Sequence, residues 1–275
     1  GPGPSAMTDG LSFVRAGYGH AADHWASGAE LAYGPMAAAL LDAAPVPLAG
    51  LTVADVGAGT GAVSRQVSAL GANPIAVDAV LAMLAHRAGE RPPAAVADVL
   101  RLPFRDRAID GAVAAFVLNH LERPVSALVE LRRVVRPGGF VLASVFDTSD
   151  RPPAKEVIDS ALERAGWQRP DWYQHLKSVD SQLGSTDAME AAARDAGFDE
   201  IMATEQRVDT GVTDPREIVR FRFSQPHLTG FVETLSADER RRVTEECVSA
   251  VEATGTGLSL GVVLLAATVP RDSDR

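Results

Sequence analysis

Three glycines and a carboxylate in the first third of the chain have types and spacing suited to holding a small polar ligand. Asp55-Val-Gly57-Ala-Gly59-Thr-Gly61 ends a short apolar run and precedes a helical pattern. Glycines at such a junction let the backbone turn sharply and approach a ligand, while free N–H groups at the helix start face it. With Ala62 in sixth place the run also satisfies G-x-G-x-x-G/A, so the loop alone leaves a nicotinamide dinucleotide and other nucleoside cofactors open. Asp78 ends the next apolar run, where a carboxylate can accept hydrogen bonds from both hydroxyls of a ribose, which points to an adenosine moiety. The competing reading makes Asp78 the N-cap of the next helix.

Groups able to move a proton or hold a charge are sparser. His120, in Leu-Asn-His-Leu-Glu after the fourth strand, is a candidate base with a structural reading beside it. Arg220-Phe-Arg-Phe-Ser-Gln-Pro-His227 offers Arg222 to a carboxylate or phosphate and His227 as base or donor; the alternative is a lid helix with its arginines in solvent. Trp167, Trp172, Tyr173 and His175 invite the same pair of readings, with Trp172 the candidate substrate contact. His20 and His24 stand i, i+4 around Asp23, a spacing that would suit a metal, but no third ligand is evident and no metal is expected.

The elements that must position these groups are legible from pattern. Apolar runs at Leu51–Val56, Pro74–Val77, Ala94–Ala97, Ile109–Ala115 and Phe140–Phe146 read as buried strands. Between them, Ala62–Leu70, Val80–Arg87 and Pro124–Val135 read as helices, which implies βαβ units and a mostly parallel sheet. Ser185–Ala196 is a helix stopped by Gly197, and strands at Phe198–Val208 and Leu258–Val269 complete seven. The expected fold class is therefore α/β: a Rossmann-like, seven-stranded, mostly parallel sheet with helices on both faces and a helical lid. The expected division is a tag remnant at 1–7, an N-terminal helical lid at 8–50 and a cofactor-binding core at 51–146. A helical insert at 147–184, a core helix and strand at 185–208, a helical lid insert at 209–257 and a last strand with tail at 258–275 follow. Ser236-Ala-Asp-Glu239 predicts a capping box opening a helix toward Val251.

Composition sets the class of partner. The 275 residues are 46% apolar and 23% charged, which excludes a disordered chain. A formal net charge of −10 opposes a nucleic-acid partner. Only Lys155 and Lys177 are lysines, and the single cysteine, Cys247, reads as a small hydrophobe in a reducing compartment. The longest apolar stretch, 261–269, is too short to cross a bilayer, so a cytoplasmic protein with no membrane partner is expected.

Taken together, VADVGAGTG, Val77-Asp78 followed by Met83-Leu84, Ala97-Asp98-Val-Leu-Arg-Leu-Pro-Phe104, Ile109-Asp110 and Arg136-Pro-Gly-Gly139 resemble the class I S-adenosylmethionine-dependent methyltransferases. The similarity is to the small-molecule branch of ubiquinone and menaquinone biosynthesis enzymes, and it covers about Leu51 to Phe146. It implies S-adenosyl-L-methionine as cofactor, with Gly57, Gly59 and Gly61 along its methionine part and Asp55 positioning the loop and the amino group. It further implies Asp78 on the ribose, Met83 beside it, Asp98 and Val99 at the adenine, and Phe116 near the sulfonium. Tyr18 is the N-terminal aromatic expected to fold over the cofactor. The resulting expectation is O- or C-methylation of a small organic acceptor in specialised metabolism, with homodimer formation as a possible further association. Two alternatives stand beside it: a protein of this fold that binds the cofactor without methyl transfer, and a nicotinamide-dependent oxidoreductase.

Overall fold

The structure is a computed structural model and describes residues 30–180 and 182–272. Strands β1 (Thr52–Val56), β2 (Asn73–Asp78), β3 (Ala94–Val96), β4 (Ile109–Ala115), β5 (Val135–Phe146), β6 (Asp199–Asp209) and β7 (Ser259–Thr268) form one sheet. Their order is β3-β2-β1-β4-β5-β7-β6. The first five strands pair in parallel, and β7 runs antiparallel between β5 and β6. The order reverses between β1 and β4, and a crevice opens beyond the carboxyl ends of strands at such a switch point.

Helices cover both faces because the strands are apolar on both. On one side, α1 (Glu30–Asp42) and α2 (Ala62–Ala69) pack through Met36, Leu40, Val63 and Val67. On the other, α4 (Pro124–Val134) and α7 (Thr186–Asp195) bury Leu128, Leu131 and Met189 completely. Each such side chain contributes roughly 2 kcal/mol through removal of its surface from water. Ser185 caps α7 and Gly197, at φ 80°, stops it, as the pattern predicts.

Two elements depart from the sequence expectation. The helix expected over Val80–Arg87 is only α3 (Leu81–Ala85), followed by a 3-10 turn at Ala88–Glu90. The Arg91 guanidinium takes the carbonyls of Met83 (2.6 Å) and His86 (3.1 Å), so the chain turns instead of continuing the helical ladder. The strand expected from Phe140 begins at Val135 and shifts register between Ile109 and Gly111, absorbing the Pro-Gly-Gly stretch as a bulge. Correspondingly, α4 stops one residue short of the expected Val135.

Both inserts are helical. The first holds α5 (Pro153–Arg164) and α6 (Asp171–Asp180); the second holds α8 (Pro215–Phe223), α9 (Pro226–Thr234) and α10 (Ala237–Thr254). The capping box at Ser236 and Glu239 opens α10. Ile158, Leu162, Val243, Cys247 and Val251 join the apolar cluster on the α1 face, so the inserts are packed parts of the core. Burial pushes the Cys247 thiol up to about 12, leaving it an inert hydrophobe.

Candidate functional site

The glycine loop hangs from the end of β2. Gly57 and Ala58 both donate to the Val77 carbonyl, at 2.7 and 3.0 Å. Gly57 sits at φ 71°, and a Cβ there would come within 2.2 Å of the Val117 side chain, so the turn admits only glycine. Gly59 and Gly61 are also left-handed, and Gly61 leads directly into α2.

Asp78 reaches across to the same loop. Its Oδ2 accepts the Gly59 N–H and its Oδ1 the Val80 N–H, each at 2.8 Å. The residue at the N-cap of α3 is Val80, so the capping role is not the one Asp78 takes. Burial raises its pKa, against the backbone N–H groups and Arg91, which favour the carboxylate. A carboxylate has about four acceptor positions, and two here are used within the fold. Asp55, 1% exposed at the end of β1, accepts the Ser64 hydroxyl at 2.6 Å. Burial dominates there too and pushes Asp55 up to about 6.

These residues line a cavity of about 170 Å³ together with Met83, Asp98, Val99, Phe116 and His120. Asp98 accepts the Leu100 N–H at 2.9 Å, which fixes the loop that carries Val99. The cavity therefore gathers, from the sequence-predicted set, Asp55, Gly57, Gly59, Asp78, Met83, Asp98, Val99, Phe116 and His120. Gly61 borders it through Thr60 and Ala62, and Tyr18, like His20 and His24, lies outside the described residues.

A second cavity, of about 800 Å³, adjoins the first, and Tyr33, Phe116 and His120 line both. Phe116 stands at φ 56°, a left-handed conformation that costs a bulky residue about 1 kcal/mol or more, and its ring is turned into the junction. Tyr33 meets it edge-on at 5.3 Å and Phe146 packs at 4.5 Å. Tyr33 is held there because Gln66 of α2 donates to the Gly34 carbonyl at 2.6 Å, tying α1 to the core.

The far wall of the larger cavity comes from the inserts: Trp172 and Tyr173 on α6, Lys155 and Asp159 on α5, Arg222 on α8 and His227 on α9. Arg222 is buried and donates twice to Asp159, at 2.8 Å each. That edge of the guanidinium is thus occupied by a carboxylate of the protein itself. His227 stacks on Tyr173 at 3.7 Å with the rings 4° from parallel, and its Nε2 is buried without a hydrogen-bond partner among the described residues. Burial, then Arg222 and Lys155, hold it well below the usual imidazole range, so it is neutral. His120 is at the junction of the two cavities, whereas His227, Arg222 and Trp172 line only the larger one.

Sequence reasoning missed three participants. Arg91 donates to the Gly59 carbonyl at 2.8 Å as well as to Met83, and so braces the loop. Tyr33 appears in the sequence only as one aromatic in a helical stretch. Lys155 carries no local motif at all.

Comparison with known proteins bears on the core. Residues 54–143 match the family model described as a methyltransferase domain. This segment is a methyltransferase domain. Over 134 residues the chain is 34% identical to the demethylmenaquinone methyltransferase of Mycobacterium tuberculosis, covering 46% of this chain and 57% of that one. The enzyme of the same name from Corynebacterium kroppenstedtii is 34% identical over 119 residues, 43% of this chain and 52% of that one. The chain spans about half the length of these curated relatives. Among solved structures, Haemonchus contortus phosphoethanolamine N-methyltransferase 2 superposes with TM-score 0.54 at 19% identity, over 86% of this chain and 52% of that one. The [4+2]-cyclase SpnF superposes with TM-score 0.52 at 19% identity, over 86% and 81%. These likenesses show the fold, a Rossmann-like methyltransferase fold, which the domain shares.

Proposed function

We propose that the chain is an S-adenosyl-L-methionine-dependent methyltransferase acting on a small organic acceptor in the larger cavity. The observation that carries this reading is the grip on one crevice: a turn only glycine can make, faced by the Asp78 carboxylate, opening at Phe116 into a second cavity roofed by the inserts. The site's chemistry fits the cofactor. Asp78 has acceptor capacity left for ribose hydroxyls, and Asp55 is a buried carboxylate that an ammonium group would hold ionised. Asp98 and Val99 stand where an adenine would need an acceptor and an apolar face. The aromatic faces of Tyr33, Phe116 and Phe146 suit a cationic centre.

S-adenosyl-L-methionine supplies an activated methyl group whose leaving group is a neutral thioether. The protein then has to align the acceptor, exclude water and manage one proton. In this reading His120, which borders both cavities, takes that proton from an oxygen or carbon acid. The dinucleotide-binding strand order runs 3-2-1-4-5-6, and the antiparallel β7 inserted next to β5 argues against a nicotinamide enzyme. The net charge of −10 argues against nucleic-acid substrates. Among the described residues no helix is long and apolar enough to cross a membrane. A place in specialised metabolism, a cytoplasmic location and a homodimeric assembly belong to the same proposal.

The test is calorimetric titration with S-adenosylhomocysteine. Wild-type protein is expected to bind it and Asp78→Ala to bind about tenfold or more weakly, the value of a lost charge-assisted hydrogen bond. An unaltered affinity in Asp78→Ala would overturn the assignment. Substrate conversion without release of S-adenosylhomocysteine would favour a cofactor-binding protein that does not transfer methyl groups.

A further inference from the structure

The wall of the larger cavity holds a cation that methyl transfer by itself does not require. Both lysines of a chain with net charge −10 face it. Lys177 Nζ lies 5.5 Å above the Tyr173 ring. Lys155 is half-buried on α5 and makes no ion pair among the described residues. The carboxylates that line the same cavity are hydrogen-bonded within the fold or open to solvent. Asp159 is matched by Arg222, Asp150 pairs with Arg207 at 2.5 Å and accepts the Gly261 N–H at 2.6 Å, and Asp147 accepts from Ser149. Glu156 and Glu163 are exposed. The inner wall therefore holds Arg222 and Asp159, which pair with each other, and Lys155, which has no ion pair among the described residues.

An unmatched cation withdrawn from water is costly, and a buried polar atom without a partner adds a further penalty. The wall shows both, since His227 Nε2 is unpartnered among the described residues and the residue is only 8% exposed. The His227 ring is not free to turn away, being stacked on Tyr173, and its backbone carbonyl accepts the Trp167 indole N–H at 3.2 Å.

We infer that this wall is a receptor for an acid group on the acceptor, a carboxylate or a phosphate, with Lys155 Nζ as its counter-charge and His227, in the Nε2–H tautomer, donating a hydrogen bond to it. The aromatic surfaces of Trp172 and Tyr173 beside it favour an acid carried on a flat or apolar body. The assignment rests on the methyltransferase reading only in calling the ligand an acceptor; the anion site itself stands on the cavity wall. Lys155 is pushed down to about 8 by burial and by Arg222 and Lys177, with Asp159 opposing and Arg151 adding to the repulsion, while the neighbouring His227 stays neutral. The site is thus charged at neutral pH and loses its charge as pH rises through about 8.

The probes are 2-naphthoate and 2-naphthyl phosphate, each titrated calorimetrically against the neutral 2-naphthamide, with and without saturating S-adenosylhomocysteine. Wild-type protein is expected to bind one of the acids about tenfold or more tightly than the amide, and the tighter acid distinguishes carboxylate from phosphate. Lys155→Met should bring acid and amide to within about twofold, while Lys155→Arg keeps the preference, because its charge persists. In wild type the preference should fade above pH 8, and in Lys155→Arg it should persist. Affinity for S-adenosylhomocysteine should be the same in all three proteins, which also verifies folding. Equal binding of acid and amide by wild type, no acid binding, or a preference that survives Lys155→Met would overturn the proposal. A wild-type protein that binds the acids but not S-adenosylhomocysteine would leave the anion site standing and remove the methyltransferase reading.

Discussion

At the scale of single residues the site is a set of groups held in states they would not adopt in water. Asp55 is the clearest. Its folded pKa of about 6 exceeds the ordinary 3.8, so the folded protein binds a proton more tightly than the unfolded chain. The stability this lends is present below about pH 4 and is lost as pH rises to about 6, a loss of about 3 kcal/mol. Unfolding free energies of the cofactor-free protein should therefore fall across that window, and Asp55→Asn should flatten the slope. A parallel pH dependence in the variant would place its origin elsewhere. Gly57→Ala is expected to abolish measurable binding of S-adenosylhomocysteine and to lower stability by about 2 kcal/mol, because the added carbon meets Val117 at 2.2 Å and the left-handed backbone is strained. Chemical denaturation and calorimetry on the same protein check both halves. Asp78 and the glycines were legible in the sequence because their roles depend on short spacing at one strand end. Lys155, Tyr33 and Arg91 were not, since each acts through partners brought together only by the fold.

At the scale of elements, apolar runs located all seven strands, and the failures were at ends decided by a distant side chain or by a proline. α3 is short because Arg91 occupies carbonyls that the following helical turn would need, and the same guanidinium braces the Gly59 carbonyl. Arg91→Met should cost about 2 kcal/mol of stability and weaken S-adenosylhomocysteine binding severalfold, as two or three charge-assisted hydrogen bonds are lost at once. A variant with lowered stability and unchanged affinity would show that the brace does not reach the loop. β5 began early for a comparable reason: Pro137 cannot donate to a helix, and the glycines after it accommodate the bulge that restores pairing with β4. The helical character of the inserts was readable, and so was the capping box of α10. That α5, α6, α8 and α9 wall one cavity was not, because no periodicity records which helix faces face each other.

At the scale of the whole molecule, one cavity belongs to a motif-bearing core and the other is walled largely by motif-poor inserts. The core explains why the cofactor reading came from sequence, and the inserts explain why the proposed acceptor chemistry had to be argued from coordinates. Ligand bound only by the folded state stabilises it by mass action, about 2.7 kcal/mol at a hundredfold excess over Kd. Thermal unfolding with S-adenosylhomocysteine should therefore shift upward in proportion to the logarithm of its concentration, and a transition that ignores the ligand would argue against the crevice.

The placing of β7 has a consequence for how the molecule is made. β7 lies inside the sheet, yet it is specified after every other strand, and β6 pairs with no other strand among the described residues. During synthesis at the ribosome, β5 must wait with an open edge, Phe140–Phe146, until residues 259–268 emerge some 110 positions later. The nascent protein thus passes through a stage with a complete glycine-loop crevice and an unfinished sheet, open to aggregation along that edge until the last insertion seals it.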